Sequence, residues 1–174
     1  ALTVIIFTSF TASAQTADEI INKYFENIGG KEKLSKINGC KMNMVNNYNG
    51  MEIPLEIFND KTGKMYVKVN FQGKEITQLA FDEKTGWSTN FMTMKDKKLD
   101  SETTENLLSQ INDFPDPFYN YKDKGYKVEL LGKETKEGTE CFKIKLTKKP
   151  ITVAGKKEDN VVFYYFDAEN YVPI

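Results

Sequence analysis

The chain has no arginine and no histidine; its 24 cations are all lysines, set against 25 carboxylates for a formal net charge of −1 at pH 7. Without imidazole there is no Ser-His-Asp or Cys-His arrangement, no histidine metal ligand, and no side chain whose ordinary pKa switches charge near neutrality. Without guanidinium there is no planar fork for bidentate recognition of phosphate. A balanced charge supplies no global field to draw in nucleic acid. Cysteine is scarce as well. Cys40 and Cys141 are the 2 present, and their spacing fits neither a CxxC redox pair nor a metal knuckle. They read as small apolar side chains; whether they pair is a matter of distance that sequence leaves open. Ile37-Asn38-Gly39-Cys40 has the outline of a lipobox but lies far beyond the apolar run that a lipoprotein peptidase needs. No metal site and no cofactor is expected.

The 174 residues and 20.0 kDa suit one domain, able to bury roughly 70% of the surface its unfolded form exposes. Residues 1–10 are uncharged and mostly apolar, and Ala12-Ser13-Ala14 places small residues where a signal peptidase accepts them. The expectation is a signal peptide over 1–14, cleaved after Ala14, and a periplasmic domain over 15–174. The run is short of the ~20 residues of a membrane span. A buried first strand is the alternative for this segment. With no initiator Met or basic flank in front, and with Tyr171-Val172-Pro173-Ile174 reading as the start of another strand, truncation at both ends is expected.

Thr16-Ala17-Asp18-Glu19 has the form of a capping box, and Ile20, Ile21, Tyr24, Phe25 and Ile28 follow at helical spacing. Gly29-Gly30 ends this helix, with a short second one over Lys31 to Ile37. From Cys40 the period becomes two, as in Ile53, Leu55, Ile57 and in Met65, Val67, Val69, Phe71. Asn49-Gly50, Asp60 to Gly63, Gln72-Gly73 and Glu83 to Gly86 read as hairpin turns, each with a glycine for positive φ. Polar Lys95 to Glu105 interrupts the sheet and leads to a helix bearing Leu107, Leu108 and Ile111, capped by Asp100 or Ser101. Prolines 115 and 117 stop it. Strands resume at Tyr126–Leu131, Cys141–Thr147 and Val161–Phe166, with Lys148–Asn160 a solvated loop.

A sheet with one apolar face and few helices must curl, pair with another sheet, or hold something greasy. Met42, Met44, Met65, Phe71, Leu79, Phe81, Trp87, Phe91 and Met92 offer methionine and aromatic surface of the kind that re-packs around variable apolar ligands, although such side chains are also ordinary core. The carboxylates that cluster near aromatics are Asp82, Glu83, Asp113 and Asp116. Paired carboxylates can do acid–base work, yet these sit in turns and look like Asx and capping positions.

Four stretches resemble the LolA and LolB lipoprotein-sorting family, especially versions from Bacteroidetes. They are Ala17-Asp18-Glu19-Ile20-Ile21-Asn22-Lys23-Tyr24 running to Leu34; Phe81-Asp82-Glu83-Lys84-Thr85-Gly86-Trp87; Asp116-Pro117-Phe118 with Gly125 to Glu134 and Gly138 to Leu146; and Tyr164-Tyr165-Phe166-Asp167 with Tyr171. The resemblance implies an α+β, mainly β fold: a half-open antiparallel β-barrel with short helices packed on or in its concave face. It implies a concave ligand-binding face over Leu55, Ile57, Met65, Val67, Val69, Phe71, Leu79 and Phe81, with Trp87 as the turn-borne tryptophan and Leu107, Leu108 and Ile111 on a helical lid. It also implies that an arginine holds the lid closed, and no arginine exists here to do so.

The function expected is that of a non-enzymatic, monomeric periplasmic carrier. It would bind acyl chains of lipid-modified proteins or other lipids and deliver them to an outer-membrane acceptor, without nucleic acid and without itself being an integral membrane protein. The alternative is an envelope regulatory or stress-sensor protein on the same scaffold, binding a protein partner.

Overall fold

A computed structural model describes residues 15–174; the expected signal peptide and its cleavage site lie outside the described residues. The chain opens with α1 (Ala17–Asn27) and α2 (Lys31–Ser35). Thr16 Oγ1 accepts from the Glu19 amide at 3.2 Å and the Glu19 carboxylate accepts from the Thr16 amide at 2.8 Å, so the capping box forms. Ile20, Ile21, Tyr24 and Phe25 form the buried stripe of α1, and Gly29 and Gly30, at φ 105° and 91°, end it.

Six strands follow as an antiparallel meander, each paired with its sequence neighbour: β1 (Gly39–Tyr48), β2 (Met51–Asp60), β3 (Lys64–Phe71), β4 (Lys74–Asp82), β5 (Gly86–Asn90) and β6 (Lys95–Lys98). Asn49-Gly50 and Gln72-Gly73 both have positive φ at both positions, the geometry of two-residue hairpins whose twist matches that of the strands. β6 corrects the sequence reading of Lys95 onward as an interruption. It has no apolar alternation because it is the edge strand, where lysines on both faces are favourable.

After β6 come α3 (Ser101–Ile111), then β7 (Lys127–Lys136), β8 (Thr139–Thr147), β9 (Ile151–Val153), β10 (Lys156–Glu158) and β11 (Val161–Asp167). Asp100 caps α3, accepting from the Thr103 amide at 2.7 Å. β11, β8 and β7 form a second antiparallel sheet, and β9 and β10 a separate hairpin. The Lys148–Asn160 stretch is therefore structured where a loop was expected, turning at Ala154-Gly155 with φ 50° and 76°. The final residues add one isolated bridge, Phe166 to Pro173, in place of a new strand.

The fold is α+β and mainly β, but the sheet is not closed into a barrel: it is divided into pieces of six, three and two strands. Between β6 and β7 the chain is spent on α3 and on turns around the two prolines, and β7 then pairs with β8 instead of with β6.

Two apolar clusters hold the halves. In the larger, α1 packs on the three-stranded sheet, with Phe25, Phe118, Phe166, Ile144 and Leu146 buried. Rings of Phe118 and Phe166 meet edge-on at 5.5 Å, as do Tyr24 and Phe166, a favourable aromatic geometry. In the smaller, α3 packs on the six-stranded sheet through Phe81, Leu107 and Ile111. Asp113, just past α3, accepts from Lys148 Nζ at 2.6 Å and Tyr126 Oη at 3.0 Å, tying α3 to the three-stranded sheet.

Candidate functional site

Register decides which side chains of the meander share a face, because directly paired residues project to the same side. Met42, Ile57, Val67 and Leu79 form one cross-strand row, and Met44, Leu55, Val69 and Ile76 the next. A third row carries Met65, Phe81 and Gly86. Phe71 follows Val69 on the same side, two residues on. A bulge between Val67 and Lys68 admits one extra residue on β4, which puts Ile76 and Leu79, three apart, on one face. The result is a continuous apolar face across four strands.

The other face mixes ion pairs with apolar side chains, Val45 opposite Pro54 and a row of Phe58, Tyr66, Ala80 and Trp87. Tyr66 Oη donates to Glu56 at 2.7 Å, Lys41 pairs with Glu56 at 3.2 Å and Lys68 with Glu75 at 2.8 Å. Hydrogen bonding from Tyr66 and Lys41 holds the Glu56 carboxyl below its ordinary range. Phe58 and Tyr66 stack at 5.2 Å. Trp87 belongs here: it is paired with Ala80 and Lys98, beside the row of Tyr66. The structure therefore separates Trp87 from the other sequence-derived binding residues. In an antiparallel turn that ends in a glycine at the strand start, the sequence gives no parity by which to choose its face.

Helix α3 covers one end of the apolar face. Leu107 and Ile111 bury against Phe81, and Met65, Leu79, Leu99 and Leu108 pack around them. Six of the expected site residues thus meet in one cluster: Met65, Leu79, Phe81, Leu107, Leu108 and Ile111. Leu55, Ile57, Val67, Val69 and Phe71 lie further along the same face. Val69 and Ile76 are 5% and 7% exposed, whereas Met42, Met44 and Phe71 are 50%, 43% and 37% exposed. The face is thus buried beneath α3 and at Val69 and Ile76, and open along β1 and at Phe71; Ile76 is a member that sequence reasoning missed.

Two hollows flank the C-terminal half of α3, of about 510 Å³ and 330 Å³, and Leu108 and Asn112 border both. On its outer side α3 is fastened to the β9–β10 hairpin. Asn106 Nδ2 donates to the Thr152 carbonyl at 2.6 Å and Asn106 Oδ1 accepts from the Thr152 amide at 3.1 Å. One turn earlier, the Glu102 carboxylate accepts from the amides of Ala154 and Gly155 at 2.9 Å and 2.8 Å. Glu102 and Asn106 are four residues apart and so share a helix face.

The carboxylates singled out from sequence have structural partners. Asp82 accepts from the amides of Lys84 and Thr85, which holds its carboxyl below the ordinary range. Glu83 pairs with Lys64 at 3.6 Å. Asp113 has Lys148 and Tyr126, and Asp116 accepts from Tyr24 Oη at 2.7 Å and from the Phe118 amide at 2.8 Å. Burial and the Asp116 bond push the Tyr24 hydroxyl well above its ordinary range. Cys40 is exposed and Cys141 buried, and both are free thiols. Among the described residues no cluster of carboxylates and thiols is arranged to hold a metal ion, and no helix is long and apolar enough to cross a membrane.

No protein-family model matches the chain, and no curated protein matches its sequence. Among solved structures, it is similar to a LolA superfamily protein from Nitrosomonas europaea, with 15% identity, a TM-score of 0.44, and coverage of 92% of this chain and 70% of the other. It is also similar to lipoprotein LppX from Mycobacterium tuberculosis, with 9% identity, a TM-score of 0.35 and coverage of 87% and 80%. LprF from Mycobacterium bovis gives 10% identity, a TM-score of 0.39 and coverage of 90% and 81%.

Proposed function

We infer that the protein is a non-enzymatic periplasmic carrier that takes acyl chains of lipid-modified proteins, or other lipids, onto the apolar face of the six-stranded sheet and delivers them to the outer membrane. The observation that carries this reading is the asymmetry of that sheet. One face is apolar over four strands and left open along Met42, Met44 and Phe71, while the other intersperses its apolar side chains with ion pairs. An uncovered apolar face is unfavourable in water, and seating a hydrocarbon tail there recovers about 0.8 kcal/mol per buried CH₂. Methionines at Met42, Met44 and Met65 suit tails of varied length, because their unbranched side chains re-pack at little cost.

Helix α3 is the element that would yield. Its apolar hold on the sheet is small, hollows stand on both sides of it, and its fastening to the β9–β10 hairpin uses Glu102 and Asn106 where an arginine is absent. Acyl chains entering beside Leu79 would displace Leu107 and Ile111 from Phe81, with the hairpin keeping the helix attached.

The test is extraction and displacement. Protein purified from its native host should carry extractable lipid or lipoprotein, and an environment-sensitive apolar dye should bind and be displaced by it. Met44→Asp should weaken dye binding at least about tenfold, while Trp87→Ala, on the opposite face, should leave it unchanged. A protein that carries no lipid and binds no dye, or a dye site lost with Trp87 and indifferent to Met44, overturns the reading.

A further inference from the structure

In a meander, alternate turns lie at the same end of the sheet. The β1–β2, β3–β4 and β5–β6 turns therefore share one end, and the β2–β3 and β4–β5 turns the other. The two ends differ chemically. The second end presents Asp60-Lys61-Thr62-Gly63 and Glu83-Lys84-Thr85, all polar. The first presents Tyr48, Met51, Phe71, Phe91, Met92 and Met94, which are 63%, 46%, 37%, 43%, 94% and 42% exposed. Three separate hairpins thus bring their large apolar side chains to one edge of the molecule. A soluble surface seldom gathers such residues without a partner for them.

We propose that this three-hairpin tip docks in the interfacial layer of a lipid bilayer. Aromatic rings and unbranched methionines are the side chains that partition there, and lysines beside them favour anionic headgroups. The turns themselves carry no charge; at the strand ends beside them stand Lys74 and Lys95 with Glu52, Glu75 and Asp96, of which Glu75 is engaged by Lys68 and Asp96 by the Thr89 hydroxyl. The β5–β6 turn is also built before it meets anything. Asn90 Oδ1 accepts from the amides of Met92 and Thr93, and the Asn90 carbonyl accepts from the Met94 amide at 2.7 Å. Met92 is therefore held outward with little ordering left to lose on insertion.

The tip is continuous with the apolar trough. Tyr48, Met51 and Phe71 are the terminal residues of the same face that carries Leu55 and Val69, and α3 covers the opposite end of that face. Resting on the binding reading above, this makes the tip the mouth through which a tail passes between bilayer and trough without crossing water.

The experiment uses the purified protein and vesicles of phosphatidylglycerol and phosphatidylethanolamine. In a Cys40→Ser background, an environment-sensitive fluorophore is attached at Met92→Cys and, separately, at Lys84→Cys on the polar end. The label at 92 should brighten and shift to the blue with vesicles and the label at 84 should not. Phe91→Ser combined with Met92→Asp should reduce vesicle sedimentation at least about tenfold, with dye displacement in vesicle-free solution unchanged. Wild-type protein that ignores vesicles, a variant that sediments like wild type, or a label at 92 that responds to protein concentration alone, as contact with a second copy would produce, each overturns the proposal. If vesicle docking holds while the soluble protein binds no dye, the docking stands and the trough reading fails.

Discussion

Gly86 opens β5 without positive φ, and its reason for being glycine is space: a Cβ built there would stand 2.5 Å from Leu99 Cδ1 and 3.4 Å from Phe81 Cδ2. The left-handed residue of that turn is instead Glu83, at φ 84°. Gly86→Ala should therefore overpack the cluster beneath α3 and cost about 1–3 kcal/mol, read as a lower denaturant midpoint. Leu99→Ala in the same chain should recover part of the loss, a non-additivity expected of residues in contact. Sequence alone suggested the turn but not this cause, because the collision is with a residue thirteen positions on. The same limit applies to Ile76 and Trp87. Period-two reading placed Leu55, Ile57, Val67 and Val69 on a common face correctly, since nothing interrupts their strands. The bulge on β4 broke the period at Ile76, and Trp87 carried only its place after a turn.

Helix α3 was legible as an element, down to its Asp100 cap, because capping and 3.6-residue spacing are local. What holds it in place was not. The fastening runs through Glu102 and Asn106 to backbone amides of a hairpin some fifty residues later, in a segment whose lysines suggested only solvation. Asn106→Ala should remove two hydrogen bonds to Thr152, cost about 1 kcal/mol, and speed amide exchange in α3 and in 151–158 while leaving β8 unaffected. Acid should act on the same helix. Hydrogen bonds from Thr103 hold the Asp100 carboxyl below its ordinary range. Its folded pKa is thus depressed, so the cap's contribution is complete above the unfolded value of about 3.9 and is lost as pH falls through the lower folded value. Exchange in the first turn of α3 should therefore accelerate below about pH 4, and Asp100→Asn, which still caps but does not titrate, should remove that dependence.

Across the molecule, burial is unevenly shared, and the unevenness is what the proposed binding function would use. The α1 half has an aromatic core with Ile20, Cys141, Ile144, Leu146 and Phe166 fully buried; every residue of β1 in the other half is exposed. Local stability follows buried apolar contact. Exchange should accordingly be slowest in α1, β8 and β11, and fastest in β1 and the outer part of β2. A saturating fatty acid or short lipoprotein-derived acyl peptide should then reverse the order within the sheet. It would bind the folded trough and not the unfolded chain, stabilising by about 2.7 kcal/mol at a hundredfold excess over its dissociation constant. The added protection should appear in β1 to β4, where the exposed Met42, Met44 and Phe71 would gain a partner, and not in β7 or β8. A ligand that raises the melting temperature while protecting only the α1 half would be binding elsewhere, and the six-stranded face would then have no claim to be the site.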